Sequence, residues 1–339
     1  MAILERLNEL QNTHDKNRLV MVLDGMGVSV IKKLLDKDGF FYRNMTDVEH
    51  AIIPATTVAA TTAYRTGKMP WETGFVGWAQ YFSETDEVIE MFLNTNLYTG
   101  EVSKMPVHTN TLPCKTVVEE MNNNGRCAFE VMPAFAPGGF DTFDTWLARI
   151  VELCNTETDA YIYAYWTEPD TSLHGLGVQD PSVKTLLREI EQKIEIALQK
   201  IQNKTDVLIT ADHGHHDIDH LFIDDYPELL NCLSCPILLE SRCVSMFVKP
   251  ERVANFPELF NKYFGKYFKL VTKSEFETEY LHAEKSVRFI GDYVALAIDK
   301  YELKQRPDIL LHKSHHAGIT PDELEIPVIT ISLNGQGVI

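Results

Sequence analysis

The sequence predicts an α/β protein built on a doubly wound, mainly parallel sheet with helices on both faces. Three apolar runs of strand length, over 18–23, 160–166 and 207–209, each end abruptly in polar residues. Apolar runs without alternation are typical of strands that are buried on both faces. A helix over 181–202 carries its apolar residues on one stripe, which indicates packing against a sheet. Strands and helices that alternate in this way predict the fold class.

The composition excludes several classes of protein. The chain has 339 residues, which is long enough for one large α/β domain with an inserted region. Its 31 Lys and Arg residues stand against 49 Asp and Glu residues, and the formal net charge of −18 argues against binding to nucleic acid polymers. No apolar stretch has the length of a membrane span, and charges interrupt any potential signal sequence. We therefore expect a cytoplasmic protein, and the sequence leaves its oligomeric state open.

The six cysteines do not form a recognisable metal-binding or disulfide framework. Only Cys232 and Cys235 have CxxC spacing, and no second pair accompanies them. We therefore favour reduced thiols over a structural zinc knuckle.

The chain is predicted to have a core and an inserted cap. Long strands and helices alternate over 1–235, and the same pattern returns over 312–339, so we assign both ranges to the core. The intervening residues 236–311 have shorter strands and helices, which we interpret as an accessory region with approximate boundaries. An alternating segment over 75–93 predicts a hairpin at the mouth of the sheet.

Carboxylates and imidazoles follow the predicted strands at the points where the strands end. In open α/β sheets, ligands bind in the crevice outside the carboxyl ends of the strands. Alone, each of these residues is more often structural, as a helix cap or a surface histidine. Together, these carboxylate and imidazole ligands suit zinc, or alternatively manganese, which is a harder Lewis acid. The set comprises Asp24, Asp170, His174, Asp212 and His213, and a late loop adds His315 and His316.

Two adjacent threonines open a predicted helix. A strand is predicted over 50–53, and the helix that follows begins near Thr56 and Thr57 and ends at Gly67. Threonine is a common N-cap residue, so capping is the simple interpretation of either hydroxyl. The same position also directs a hydroxyl and free backbone amides at the space above the sheet, which suits a phosphate.

The order of these motifs resembles the alkaline phosphatase superfamily, and within it the type I phosphodiesterase/nucleotide pyrophosphatase family. The resemblance covers residues 18–240 and 312–339, and it implies the alkaline-phosphatase-like form of the predicted fold. Each motif alone is common, but the ordered and spaced set is specific. In chain order the motifs are VMVLDGMG, PATTVAATTAYRTG, DTSLH, TADHG and HAGITP.

The resemblance implies a nucleophile and two divalent metal ions, with zinc favoured and manganese as the alternative. Thr57 is the implied nucleophile, and Thr56 is the second choice. One ion would be held by Asp170, His174 and His316, with His315 as the neighbour outside the motif. The second ion would be held by Asp24, Asp212, His213 and the Thr57 oxygen. The three histidines outside the motifs are interpreted as supporting or surface residues, with a further metal site as the alternative: His215, His216 and His220.

The implied activity is hydrolysis of phosphate esters. The favoured reaction is cleavage of a phosphodiester or a nucleotide pyrophosphate through a phosphothreonine intermediate. The implied partner is a small phosphorylated substrate such as a nucleotide. The alternatives are a phosphomonoesterase, a metal-dependent phosphomutase of the same superfamily, and a catalytically silent metal-binding protein. Thr73 stands where many relatives carry a histidine, and no motif in the hairpin or the cap identifies the leaving group.

Overall fold

The fold is described from a computed structural model that covers residues 2–107, 115–305 and 311–335. The strands in these residues are β1 (Asn17–Leu23), β2 (Met45–His50), β3 (Ala79–Phe82), β4 (Glu87–Glu90), β5 (Thr95–Asn96), β6 (Ala128–Val131), β7 (Tyr161–Trp166), β8 (Thr205–Thr210), β9 (His216–Asp217), β10 (Asp219–Phe222), β11 (Leu238–Leu239), β12 (Cys243–Met246), β13 (Phe268–Thr272), β14 (Tyr293–Ala297), β15 (Tyr301–Lys304), β16 (Ser314–His315) and β17 (Glu325–Leu333). The helices are α1 (Ala2–Gln11), α2 (Val28–Leu34), α3 (Phe40–Asn44), α4 (Thr57–Thr66), α5 (Pro70–Thr73), α6 (Val117–Asn123), α7 (Phe143–Thr156), α8 (Asp170–Leu176), α9 (Pro181–Leu198), α10 (Pro227–Leu230), α11 (Phe256–Phe264), α12 (Lys273–Glu275) and α13 (Pro321–Leu324).

The main sheet has the strand order β2-β17-β8-β1-β7-β6. Strands β6, β7, β1 and β8 are parallel to one another, whereas β17 is antiparallel to both β8 and β2. Every residue of β1 and β7 is buried, as their continuous apolar sequences predict. Helices α2, α3 and α7 pack with α9, while α1 and α6 each pack with α4, so two helix groups flank the sheet. The predicted doubly wound, mainly parallel fold is confirmed.

The edge strand of the main sheet lies earlier in the chain than the sequence indicates. The predicted strand over 50–53 is wrong, because β2 ends at His50 and the buried Ile52 lies in the irregular segment that follows. Within the described residues β2 pairs only with β17, and most of its side chains are exposed. An edge strand with exposed side chains needs no continuous apolar run. The apolar residues over 51–53 therefore led to a strand prediction that was placed too late in the chain.

A second sheet, here called the accessory sheet, is antiparallel with the order β13-β14-β12-β11-β3-β4-β5. Strands β3 and β4 form the hairpin predicted over 75–93. Strand β11 joins this hairpin to the strands of residues 236–311, because Leu239 pairs with Ala79. The accessory sheet therefore takes strands from inside and outside the predicted cap, and the boundaries of the cap stay a prediction.

Helix α9 illustrates how local sequence defines an element. The Asp180 side chain accepts a hydrogen bond of 2.8 Å from the Ser182 amide, and Pro181 occupies the first helical position. The apolar stripe of α9 is buried in the main core, as the sequence predicts.

In the residues that the structure describes, no helix is long and apolar enough to cross a lipid bilayer.

The cysteines that the structure describes are free thiols, Cys232 and Cys235 among them. The preference for reduced thiols over a zinc knuckle stays a prediction. Cys114 lies outside the described residues.

Candidate active site

Three aspartates lie together because they follow neighbouring strands of the main sheet. β1 is central, and it pairs with β7 on one side and β8 on the other. The Asp24 amide donates to the Trp166 carbonyl at 3.0 Å, and the Asp170 amide donates to the Asp24 carbonyl at 3.0 Å. The Gly25 amide donates to Asp212 Oδ1 at 3.1 Å. These backbone contacts hold the three carboxylates at one edge of the sheet, where the sequence predicts a site.

Asp24, Asp212 and His213 form the first of two groups of potential metal ligands. One ligand atom from each lies within 4.8 Å of the others, and all three residues are buried. His213 Nε2 is 3.3 Å from Asp24 Oδ1 and 3.7 Å from Asp212 Oδ2. Among the described residues, neither of these two buried carboxylate oxygens has a hydrogen-bond partner. Buried, unpaired carboxylate oxygens beside an imidazole suit a divalent cation.

The acidity of the two aspartates reflects this concentration of negative charge. Burial raises the pKa of Asp24 well above its usual range, and the charges of Asp212 and Asp170 raise it further. Burial also raises the pKa of Asp212, although nearby His213 opposes the shift. A bound cation would favour the ionised form of both carboxyls, because it offsets their mutual repulsion and their desolvation.

The second group contains the three residues predicted for the other ion, together with one addition. Asp170, His174 and His316 lie with His215 so that one ligand atom from each is within 4.8 Å of the others. From Asp170 Oδ1, the distance is 2.6 Å to His215 Nε2, 3.3 Å to His174 Nε2 and 3.9 Å to His316 Nε2. The structure therefore brings all the predicted residues of this group together.

The imidazoles of both groups turn the same ring nitrogen inward. Nδ1 of His174 lies 3.0 Å from the Ser314 carbonyl, and Nδ1 of His316 lies 3.0 Å from the Ala55 carbonyl. Nδ1 of His213 likewise lies 3.1 Å from the Gly214 carbonyl. A carbonyl can only accept, so Nδ1 carries the proton and Nε2 presents its lone pair to the carboxylates. This orientation is the usual one for histidines that bind a metal.

His215 follows the same rule, although the sequence places it outside the motifs. Ser314 Oγ donates to the Leu173 carbonyl at 2.8 Å and therefore accepts from His215 Nδ1 at 3.0 Å. Burial lowers the pKa of His215 to about 4, so the ring is neutral at pH 7. The lone pair of His215 Nε2 then faces the carboxylate oxygen Asp170 Oδ1. Two electron-pair donors that face each other repel, and a cation bound between them would remove this repulsion. The interpretation of His215 as a surface residue is wrong; a supporting or ligand role is the one that fits.

The two groups are adjacent. The rings of His213 and His316 stack with their centroids 3.7 Å apart and their planes at 19°. Burial lowers the pKa of His316 well below its usual range, which keeps this ring neutral. The two groups therefore adjoin each other through these two rings.

Thr57 lies beside the first group, at the beginning of α4. Its hydroxyl is 3.2 Å from His213 Nε2 and donates to Asp24 Oδ2 at 3.4 Å. The same Asp24 oxygen accepts a short hydrogen bond from the Tyr165 hydroxyl. On the buried side of α4, the Tyr64 hydroxyl donates to the Ala211 carbonyl at 3.1 Å, which fixes the helix against the end of β8.

Thr56 has a different partner. It occupies the N-cap position of α4 with extended backbone angles, but its side chain makes no capping hydrogen bond. Its hydroxyl instead donates to Glu240 Oε1 at 2.5 Å, and that oxygen also accepts from the Trp78 amide at 2.8 Å. The interpretation of Thr56 as a simple helix cap is therefore wrong. Burial raises the pKa of Glu240 to about 7.

Four of the remaining histidines divide into two pairs. His216 and His220 belong to neither group described above: Nδ1 of His216 lies 2.6 Å from the Asp217 carbonyl, and Nδ1 of His220 lies 2.6 Å from Glu302 Oε1. His312 and His315 lie against His174, with ring centroids 4.3 Å and 4.7 Å away. Sequence reasoning missed Tyr165, Glu240 and His312, because no motif or spacing distinguishes them from structural residues.

A parallel sheet with two ligand groups at its strand ends, beside a hydroxyl at a helix N-terminus, defines a class of enzyme. The class is the phosphoester hydrolases with the alkaline-phosphatase-like fold. The family model for type I phosphodiesterase / nucleotide pyrophosphatase matches residues 18–317. The chain belongs to this family, and it is a hydrolase of the phosphodiesterase and pyrophosphatase type.

Solved structures show the same fold at low sequence identity. Murine ectonucleotide pyrophosphatase/phosphodiesterase 5, an inactive variant in complex with AMP, has a TM-score of 0.70 at 14% identity, covering 95% of this chain and 90% of that chain. The human protein of the same name has a TM-score of 0.69 at 15% identity, with coverages of 91% and 86%. Phosphonoacetate hydrolase from Sinorhizobium meliloti, in complex with phosphonoacetate, has a TM-score of 0.69 at 15% identity, with coverages of 94% and 90%. A search of curated proteins with this sequence gave no match.

Proposed function

We propose that this protein cleaves phosphodiesters or nucleotide pyrophosphates through a phosphothreonine intermediate on Thr57. The observation that carries the proposal is the position of the Thr57 hydroxyl, 3.2 Å from His213 Nε2 and 3.4 Å from Asp24 Oδ2. In the first step, the Thr57 hydroxyl gives up its proton to solvent, a bond forms between Thr57 Oγ and phosphorus, and the bond to the leaving oxygen breaks with its electron pair on that oxygen. Water then cleaves the phosphothreonine ester and restores the hydroxyl.

The two ligand groups suit two divalent ions, and the abundance of imidazole favours zinc over manganese. We assign one ion to the second group and the other to the first group, as the resemblance implies. When bound, the ions supply positive charge that lowers the pKa of the nucleophile and stabilises the leaving oxygen. The proposed ligands are Asp170, His174 and His316 for one ion, with His215 within reach, and Asp24, Asp212, His213 and Thr57 for the other.

The chain's own groups orient the substrate. Asp24 accepts the hydrogen bond of the Thr57 hydroxyl, which directs the lone pairs of Thr57 Oγ away from that carboxylate. Helix α4 begins at Thr57, and the amides of a first helical turn have no partner within the helix. These amides and the positive end of the helix dipole suit the non-bridging oxygens of a phosphoryl group.

A nucleotide is a candidate substrate, since the murine relative binds AMP. We propose that the β3–β4 hairpin and residues 236–311 select the leaving group, because the accessory sheet reaches the nucleophile helix through the contact between Thr56 and Glu240. The cytoplasmic location stays a prediction.

The test is a comparison of bis-(4-nitrophenyl) phosphate with 4-nitrophenyl phosphate under identical conditions. We expect a higher kcat/KM for the diester, because it carries one negative charge less and meets less repulsion from a protein of net charge −18. A higher kcat/KM for the monoester would support a phosphomonoesterase instead. Absence of turnover with both esters in the metal-loaded protein would support a silent metal-binding protein.

A further inference from the structure

A third group of ligand-type side chains lies beside the candidate metal centre. His174, His312 and His315 each place one ring nitrogen within 4.8 Å of the others. Their ring centroids are 4.3 Å, 4.7 Å and 5.2 Å apart, and all three residues are half-buried. By contrast, His215 and His316 of the second group are buried. The three-histidine group is therefore the more accessible of the two groups that contain His174.

The chemistry of the group selects the kind of ion that it can bind. It contains three imidazoles and no carboxylate, a donor set that suits zinc and neighbouring transition metals and disfavours magnesium and calcium. His312 Nδ1 is 2.6 Å from His174 Nδ1. Two nitrogens at this distance cannot both carry protons, so at least one of them presents a lone pair.

His174 belongs to both groups, and this determines how they can be used. Its Nε2 lies 3.3 Å from Asp170 Oδ1, whereas its Nδ1 faces His312 and the Ser314 carbonyl. A neutral imidazole has one lone pair, so His174 can serve only one ion at a time.

We propose that His312 and His315, together with His174, form an entry site for the metal ion of the second group. The half-buried imidazoles capture a transition-metal ion, and His174, which belongs to both groups, passes it to the buried group. Asp170 and His316 then replace His312 and His315 as the ligands that accompany His174. This inference rests on the metal centre of the proposed function and adds the route by which that centre is filled.

The test measures metal uptake by the metal-free full-length chain. Zinc is supplied from a chromophoric chelator, and the absorbance change in a stopped-flow instrument gives the rate, while elemental analysis gives the final content. The double variant His312→Ala/His315→Ala is expected to take up zinc about tenfold more slowly, because the local capture of the ion is lost. Its final zinc content and melting temperature are expected to equal those of the wild type.

A matched control removes two exposed histidines outside all three groups, His50→Ala/His282→Ala, and is expected to load at the wild-type rate. A third variant, His312→Cys, is expected to load faster than the double variant, because a thiolate also binds zinc.

Equal rates for the double variant and the wild type would overturn the entry site and leave the proposed function intact. Loss of a zinc equivalent in the double variant, or a third equivalent in the wild type, would also overturn it. Absence of zinc uptake by the wild type would instead contradict the metal centre itself.

Discussion

At the scale of single residues, the two threonines at the beginning of α4 should have different roles. Thr57→Ala removes the hydroxyl beside Asp24 and His213. We expect this variant to fold, to keep most of its metal and to lose kcat by several orders of magnitude, since the covalent route is lost. Thr56→Ala removes only the hydrogen bond to Glu240. It should cost about 1 kcal/mol of stability and retain activity.

Steady-state kinetics, metal content and thermal unfolding distinguish the two threonine variants. Trapping with a slow substrate, followed by peptide mass spectrometry, should place the phosphoryl adduct on Thr57. An adduct on Thr56, or an active Thr57→Ala variant, would remove Thr57 from the mechanism.

The neighbouring histidines His315 and His316 provide a second residue-scale prediction. His316 turns Nε2 toward Asp170 at 3.9 Å and anchors Nδ1 on the Ala55 carbonyl. His316→Ala should therefore lose one metal equivalent, measured by elemental analysis after dialysis. His315→Ala, the matched control, should retain both equivalents at equilibrium, because His315 is outside both proposed ligand sets. Equal loss of metal from the two variants would show that the motif has been aligned one residue out of register.

The sequence predicts which side chains lie together where a strand end fixes their positions. Asp24, Asp170 and Asp212 follow neighbouring strands of one sheet, so knowledge of the fold class brings them together. His215 and Glu240 depend on contacts between distant segments. His215 reaches Asp170 from the segment between β8 and β9, and Glu240 reaches Thr56 from the position that follows β11. No local pattern encodes such contacts.

At the scale of elements, a buried ion pair connects the accessory sheet to the loop that carries His316. Arg242, immediately before β12, donates to both Glu323 oxygens at 2.6 Å and 2.7 Å, and both side chains are fully buried. Glu323 also accepts from the Gly318 amide at 2.7 Å. Its carboxylate therefore holds the segment after His316 in place.

Glu323→Ala should be strongly destabilising, because it leaves the Arg242 guanidinium buried without its carboxylate partner. We expect a loss of about 3–5 kcal/mol in the free energy of unfolding, measured by urea denaturation. The matched control is Lys33→Ala, which breaks the exposed pair between Lys33 and Asp322 and should cost about 0–1 kcal/mol. Similar losses in the two variants would show that the buried pair does not connect the two regions.

Elements were predicted well where burial imposes a continuous apolar run, as in β1 and β7. The edge strand β2 was misplaced, because its exposed side chains leave no such run. The accessory sheet could not be predicted as one sheet. The short strands β3 and β11 come from segments far apart in the chain, and only their pairing through Ala79 and Leu239 unites them.

At the scale of the whole molecule, the stability of the fold should depend on its metal ions. The main sheet brings three carboxylates to one edge of a protein whose net charge is already −18. Buried oxygens of Asp24 and Asp212 have no hydrogen-bond partner in the described residues. The desolvation of these charged oxygens is unfavourable, and a bound cation would compensate it. We expect the purified protein to carry about two transition-metal ions, one for each ligand group.

Removal of the ions by a chelator should abolish hydrolysis and lower the melting temperature together, because the same carboxylates serve the site and terminate the central strands. Re-addition of zinc should restore both properties, and magnesium should not, since imidazoles dominate the second group. Elemental analysis before and after chelation, with thermal unfolding of each sample, makes the comparison. Activity that persists without transition metal, or a protein that carries only magnesium, would contradict a zinc-dependent site. An unchanged melting temperature after complete metal removal would show that protonation, in line with the raised pKa of Asp24, is enough to relieve the repulsion between the carboxylates.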